Sequence, residues 1–240
     1  GNIDLIVNMN NEMLGLLLPV ERPLIAPYLT MFDHVAERGL AVLHWRSHGV
    51  DEFISDAMKE VTVVHGMLRT MKQNFVSIEE IMSKWVIPFM QRKNKPVDKE
   101  DFEREFTSSK SIRFAEMRDS DRKIHELINE TSAALRVSNS SHEWQGYVDF
   151  VDNIIIDGLA ASISASLEYL IGQIEPNIIK NQGKLPLLEI KLQLDDSTGV
   201  LFDPTMTNSP DHTGVMDLID GVVGSIFHVA SLVRRLNADN

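Results

Sequence analysis

The chain has 240 residues, 43% hydrophobic and 24% charged, which is the balance of a folded protein and excludes wholesale disorder. Its net charge is −12, from 35 acids against 23 bases, a field that repels phosphate backbones and anionic lipid, so nucleic-acid and membrane binding are not expected. With no cysteine there are no disulfides, thiolate zinc sites or cysteine nucleophiles.

No run approaches the roughly 18 uninterrupted apolar residues of a spanning helix. The start, Gly1-Asn2-Ile3-Asp4, has neither an initiator Met nor a basic leader, and reads as a piece of something longer. The triplets Asn129-Glu130-Thr131 and Asn139-Ser140-Ser141 match a glycosylation acceptor by chance.

Helical periodicity dominates. Ile3, Ile6, Met9, Met13, Leu14 and Leu17 form a stripe that stops before Pro19. Pro23 and Pro27 punctuate the next unit, with Tyr28, Leu29, Phe32 and Val35 on one side. Gly39 and Gly49 bracket a connector carrying Leu40, Leu43 and Trp45. Asp51 is placed to cap a long helix, whose stripe runs from Phe53 through Val61, Leu68 and Phe75 to Trp85 and stops at Pro88. At the standard rise this is about 57 Å, more than a compact globule needs.

After a polar turn from Arg92 to Pro96, Asp98 opens a second long helix reaching about Val137. The nearly all-polar stretch from Met117 to Lys123 either breaks this helix or stands in solvent. Ser138 to Ser141 is a turn, and a third helix carries Trp144, Tyr147, Val151, Ile155, Leu159, Ile163, Leu167, Leu170 and Ile174 toward Pro176. Leu188, Ile190, Leu192 and Leu194 then alternate with polar residues, the mark of a half-buried strand. Turn residues 195–199 and the short run Val200-Leu201-Phe202, ended by Pro204, complete a β-hairpin. A polar loop precedes a last helix from about Val215 to Leu236. The expected fold is mainly α, an elongated stack of long-helix bundles with one small hairpin. Residues 1–182 form a helical bundle, and 183–240 hold the hairpin and terminal helix.

No pattern supplies chemistry. The P-loop signature is absent, and Gly221-Val222-Val223-Gly224 sits inside a helical stripe, where close helix packing explains it. His44 and His48 are four apart, but Gly49 follows and no H-E-x-x-H glutamate accompanies them; His34, His65, His125, His142, His212 and His228 stand singly. The pairs Glu79-Glu80, Asp195-Asp196 and Asp149 with Asp152 read as solvated faces or turns, since nothing apolar separates their pKa values. Asp119-Ser120-Asp121 lacks the glycine and terminal glutamate of a calcium loop. No catalytic, cofactor-binding or metal residue is therefore assigned. Met13, Met58, Met67, Met71, Met82, Met90 and Met117 are expected to fill the core, and some stripes to face a partner protein.

Three blocks in order resemble one family. The first is Val20-Glu21-Arg22-Pro23-Leu24-Ile25-Ala26-Pro27-Tyr28-Leu29, followed by Leu43-His44-Trp45-Arg46-Ser47. The second is Trp144-Gln145-Gly146-Tyr147-Val148-Asp149-Phe150-Val151-Asp152 with Ser166-Leu167-Glu168-Tyr169-Leu170. The third is Pro186-Leu187-Leu188-Glu189-Ile190-Lys191-Leu192-Gln193-Leu194, then Phe202-Asp203-Pro204 and Leu232-Val233-Arg234-Arg235-Leu236. Together they are similar to the tail of axonemal dynein heavy chains, shortly before the linker. Arg38 and Arg234 stand where that family commonly has proline.

The resemblance implies a structural, force-transmitting segment that is not itself an enzyme and holds no cofactor. The parent would hydrolyse ATP with magnesium in its motor domain and bind microtubules. Other heavy chains, intermediate chains and light chains would be its partners, in the cytoplasm and the axoneme of a cilium or flagellum. A stand-alone helical adaptor unrelated to motors is the alternative reading.

Overall fold

The computed structural model describes residues 8–9, 11–12, 15–30, 37, 44, 49–91, 96–174, 187–195, 199–207 and 213–234. Most of the first stripe, and Phe32, Val35, Gly39, Leu40, Leu43, Trp45, His48 and the turn at 92–95, lie outside them.

Three long helices carry the fold: α1 (Val50–Ser83), α2 (Lys99–Leu135) and α3 (His142–Ile174). At 34, 37 and 33 residues, each is roughly 50 Å long or slightly more. The helix α1 begins two residues earlier than a cap at Asp51 would set it. Gly49 supplies the first acceptor, its carbonyl taking the Phe53 N–H at 3.0 Å, so Asp51 lies inside the first turn instead of capping it. A short 3-10 turn, Lys84–Val86, finishes this helix and buries Trp85.

Asp98 does cap α2, its Oδ1 accepting the Asp101 N–H at 2.9 Å. The polar stretch after Met117 stays helical. Met117 and Ile124, seven residues apart, are both buried, while Arg118, Arg122 and Lys123 between them are exposed. Arg136 adopts a left-handed φ of 52° that ends α2. Ser141 then caps α3, its Oγ accepting the Trp144 N–H at 3.2 Å.

The chain divides into two compact units, Gly1–Glu80 with Ile124–Ile154, and Ile81–Lys123 with Ile155–Asn240. In the first, Val61, Val64, Leu68, Met71 and Ile78 of α1 are buried, as are Ile124, Ile128 and Leu135 of α2 and Trp144, Tyr147 and Val151 of α3. The Phe75 and Phe150 rings stack at 5.9 Å. Residues 22–30 are helical and add Leu24 and Ile25 to this core, and the Tyr28 hydroxyl donates to the Leu135 carbonyl.

The second unit buries Met82, Trp85, Phe89, Phe102, Met117, Ile155 and Leu159. Phe89 is its hub, 6.3 Å from the Phe106 ring and 6.2 Å from that of Phe114. Of the methionines read as core fillers, Met67, Met71, Met82, Met90 and Met117 are buried; Met58 is half-buried and Met13 lies outside the described residues.

Strands β1 (Lys191–Asp195) and β2 (Gly199–Asp203) pair antiparallel, the latter followed by a cis peptide at Asp203–Pro204. The expected hairpin is present, but not half-buried. Leu188 is 9% exposed, whereas Ile190 is 46%, Leu192 68% and Leu194 89% exposed, so burial is lost toward the tip. The last helix, α4 (Val215–His228), is shorter than expected and passes into a 3-10 turn, Val229–Leu232. Ser231 intervenes there, its hydroxyl donating to the His228 carbonyl at 2.7 Å. Close packing accounts for neither glycine of α4: a Cβ on Gly221 would lie 3.8 Å from Phe106, an ordinary contact, and one on Gly224 would meet nothing within 4 Å.

By length and composition alone, α3 and the helical stretch Val215–Leu232 could cross a membrane. However, α3 carries Asp149, Asp152 and Asp157 in its middle and buries Tyr147, Val151, Ile155 and Leu159. It reads as a core helix of a folded domain.

Candidate interaction surface

Each unit is pinned by a few polar residues set into apolar surroundings. In the first, Glu21 is fully buried at the end of a turn; its Oε2 accepts the Leu18 N–H at 2.7 Å and an ion pair from Lys72 of α1. Burial raises the pKa of the Tyr147 phenol well above its ordinary value, and the negative charge of Glu21 adds to the rise. Asn74, also buried, uses one amide nitrogen twice, donating to the Leu127 carbonyl and to Thr131 Oγ1, each at 3.1 Å. That bond occupies the threonine of the first acceptor-like triplet inside the core.

In the second unit Ser162 and Ser166 of α3 serve the end of α1. The Ser162 hydroxyl donates to the Trp85 carbonyl at 2.7 Å, and Ser166 Oγ accepts the Phe89 N–H at 3.0 Å. Arg113 of α2, nearly buried, donates to the Ile87 and Pro88 carbonyls and pairs with Glu116 at 3.1 Å. Apart from the Glu116 pair, these bonds satisfy backbone groups left free where α1 ends around Pro88.

A groove of about 510 Å³ lies beside this junction, lined among others by Lys84, Ile87, Ile112, Arg113, Asp119 and Lys123. Both of its carboxylates are held in ion pairs. Asp119 takes both Arg122 and Lys123, the latter at 2.8 Å, and the hydrogen bond from Lys123 holds its carboxyl below the ordinary carboxylate range. A general acid needs the opposite shift. Glu116 and Asp119 lie one turn apart on a solvated face, the first held by Arg113 and the second by Arg122 and Lys123, which is an arrangement for solubility and not for proton transfer.

Among the described residues the histidines do not converge. His44 is exposed and outside any helix, and His65, His125, His142 and His228 are dispersed, the last resting 5.0 Å from the Phe114 ring. Among the described residues no three of His, Asp and Glu gather in a way that could hold a metal. Glu79 and Glu80 point to solvent, as does Asp149.

What remains is apolar surface. In the hairpin register Leu192 is opposite Phe202 and Leu194 opposite Val200, so these four side chains share one face. They are 68%, 56%, 89% and 58% exposed. The other face carries Lys191, Gln193, Leu201 and Asp203. There Gln193 donates to Asp203 at 3.0 Å, and Lys191 lies 3.9 Å from Asp98. Sequence alternation signals such a face but is silent on whether anything covers it.

The chain matches no protein-family model. It is 30% identical over 237 residues to the dynein beta chain of the flagellar outer arm of Chlamydomonas reinhardtii, across 98% of this chain. It is 30% identical over 241 residues to human dynein axonemal heavy chain 17, and 31% over 245 residues to the ciliary dynein beta chain of Heliocidaris crassispina, each across 100% of this chain. The chain spans about 5% of the length of each of these relatives.

Proposed function

This chain belongs to the axonemal dynein heavy chains, and on that premise we propose that it is a tail segment, a helical strut that passes force and supports subunit assembly. The observation that carries the reading is the placement of its polar side chains. Glu21, Asn74, Ser162, Ser166 and Arg113 are spent on fixing helices and helix ends within each unit, and both carboxylates of the groove beside the end of α1 are held in ion pairs. Side chains used in this way stiffen a scaffold and are not themselves poised for a reacting molecule.

On this reading ATP hydrolysis, its magnesium and microtubule binding reside elsewhere in the heavy chain, and the segment works in the axoneme of a cilium or flagellum. Other heavy chains, intermediate chains and light chains are its partners. The stand-alone adaptor is disfavoured, because the similarity runs from one end of the chain to the other and is to heavy chains.

The test is a heavy chain carrying Ile128→Asp, which charges the core of the first unit, expressed in ciliated cells. ATP turnover per extracted heavy chain should stay unchanged, while arm occupancy seen by cryo-electron tomography and retention of intermediate chains fall. Lost turnover with intact arms would defeat the reading.

A further inference from the structure

We infer that the apolar face of the hairpin is a docking site for an amphipathic helix from another part of the same heavy chain. This rests on family membership and holds whether or not the segment lies in the tail.

Four features lead to it. First, Leu192, Leu194, Val200 and Phe202 form an exposed face without a single charge, and a contiguous apolar patch on a surface marks an interaction site. Second, a lone two-stranded hairpin is marginal in water and needs a third strand or a helix packed on it. Third, the opposite face is polar except for Leu201, is joined by the Gln193–Asp203 bond, and lies toward the start of α2 through Lys191 and Asp98. The uncovered face therefore points away from that anchor. Fourth, the hairpin base is tied down, with the Glu189 N–H donating to the Val97 carbonyl at 2.9 Å and Leu187 and Leu188 buried, so the face is held out on a fixed root.

Size selects the occupant. Residues two apart on a strand are about 6.7 Å apart and cross-strand neighbours about 5 Å, so the patch matches one stripe of a helix about 10 Å wide. A strand would add to the hairpin's edge and leave this face bare. Charge selects the source. At −12 the chain repels a second copy of itself and anionic membranes. Most of a dynein heavy chain lies outside this stretch, since the chain spans about 5% of its relatives. A helix of that same polypeptide is tethered at high effective concentration and covers the face as soon as the protein is made.

The experiment places the photo-cross-linker p-benzoylphenylalanine at Leu194 of the complete heavy chain in purified dynein, with the same probe at Gln193 on the other face as control. The expected product joins position 194 to a distant peptide of the same heavy chain whose apolar residues recur every three to four positions. Its yield should be several-fold above that from position 193. Joining to an intermediate chain, a light chain or a different heavy chain would overturn the proposal, as would a peptide with alternating apolar residues or equal yields from both positions. A second arm needs no probe: Leu194→Lys should speed proteolysis at the hairpin several-fold, and an unchanged rate means the face was never covered. Neither readout depends on ATP turnover or arm assembly, so each can fail while the tail reading stands, or succeed where that reading fails.

Discussion

Lys72 reaches from the middle of α1 to the carboxylate of Glu21, a residue with no solvent exposure, and so joins the proline-punctuated segment to the longest apolar stripe of the first unit. Removing the lysine strands a buried anion. The Lys72 side chain keeps 28% of its exposure, so the cost is put at the lower end, about 2–3 kcal/mol for Lys72→Met. That corresponds to a fall in Tm of roughly 4–12 °C for a chain of this size. The double variant Glu21→Gln with Lys72→Met should recover part of the loss. Equal melting of the single and double variants would show that the carboxylate is not held by its partner.

Tyr147 gives a prediction at the alkaline end. Burial, and secondarily Glu21, raise its folded pKa far above the ordinary phenol value of about 10. Above that value the unfolded chain releases a proton that the folded chain keeps. The folded state then binds more protons, and stability falls with rising pH until the folded pKa is passed. The tyrosine contributes a slope of about 1.4 kcal/mol per pH unit beyond pH 10. In Tyr147→Phe the decline between pH 9 and 11, read from urea midpoints, should be smaller by about 1.4 kcal/mol in total. Parallel curves for the two proteins would exclude the effect.

Two helical glycines should respond differently to alanine. At Gly66, exposed in α1, a Cβ would meet nothing within 4 Å, so Gly66→Ala gains helix propensity without a clash, about 0.5–1 kcal/mol. At Gly158 of α3 a Cβ would lie 3.1 Å from Met82 Sδ and 3.5 Å from Met82 Cβ. Met82 is itself buried, so its shift consumes most of the same gain. Chemical denaturation should show Gly66→Ala stabilised and Gly158→Ala close to the parent.

Local rules are legible in the sequence at several element ends, though not at Asp51, which lies inside the first turn of α1. The Asp98 cap, the Ser141 cap and the hairpin follow from residue types a few positions apart, and the structure has them. The polar run in α2 was ambiguous because its neighbours outnumber its anchors, yet Met117 and Ile124 suffice to keep it helical. The early end of α4 is hidden in the sequence because the apolar stripe continues through Val229 and Val233, both buried, while the backbone tightens around Ser231. Least legible was Glu21. A lone glutamate between Val20 and Arg22 carries no pattern, and its partner lies 51 residues away. Alternation in the hairpin likewise reports which side chains share a face, and coverage of that face is decided by tertiary neighbours.

Arg136 and Gly199 pose the same backbone question with opposite outcomes. Arg136 takes a φ of 52° where α2 ends, closing the turn through its N–H to the Ala133 carbonyl at 3.2 Å and the Val137 N–H to the Ser132 carbonyl at 3.3 Å. A side chain there strains against its own carbonyl, which glycine avoids, and the Arg136 side chain is exposed, so its loss removes little packing. Arg136→Gly should therefore stabilise by up to about 1 kcal/mol after glycine's extra unfolded-state entropy is subtracted. Gly199 begins β2 at a φ of 89° with open space around its Cβ position, so Gly199→Ala suffers from backbone strain alone, about 1–2 kcal/mol. That strain falls on the hairpin, and should appear as faster amide exchange in β1 and β2 with α1 unchanged. If Arg136→Gly proved destabilising, the guanidinium would have to be making interactions that outweigh a left-handed backbone, and the end of α2 would be held by its side chain instead of its turn.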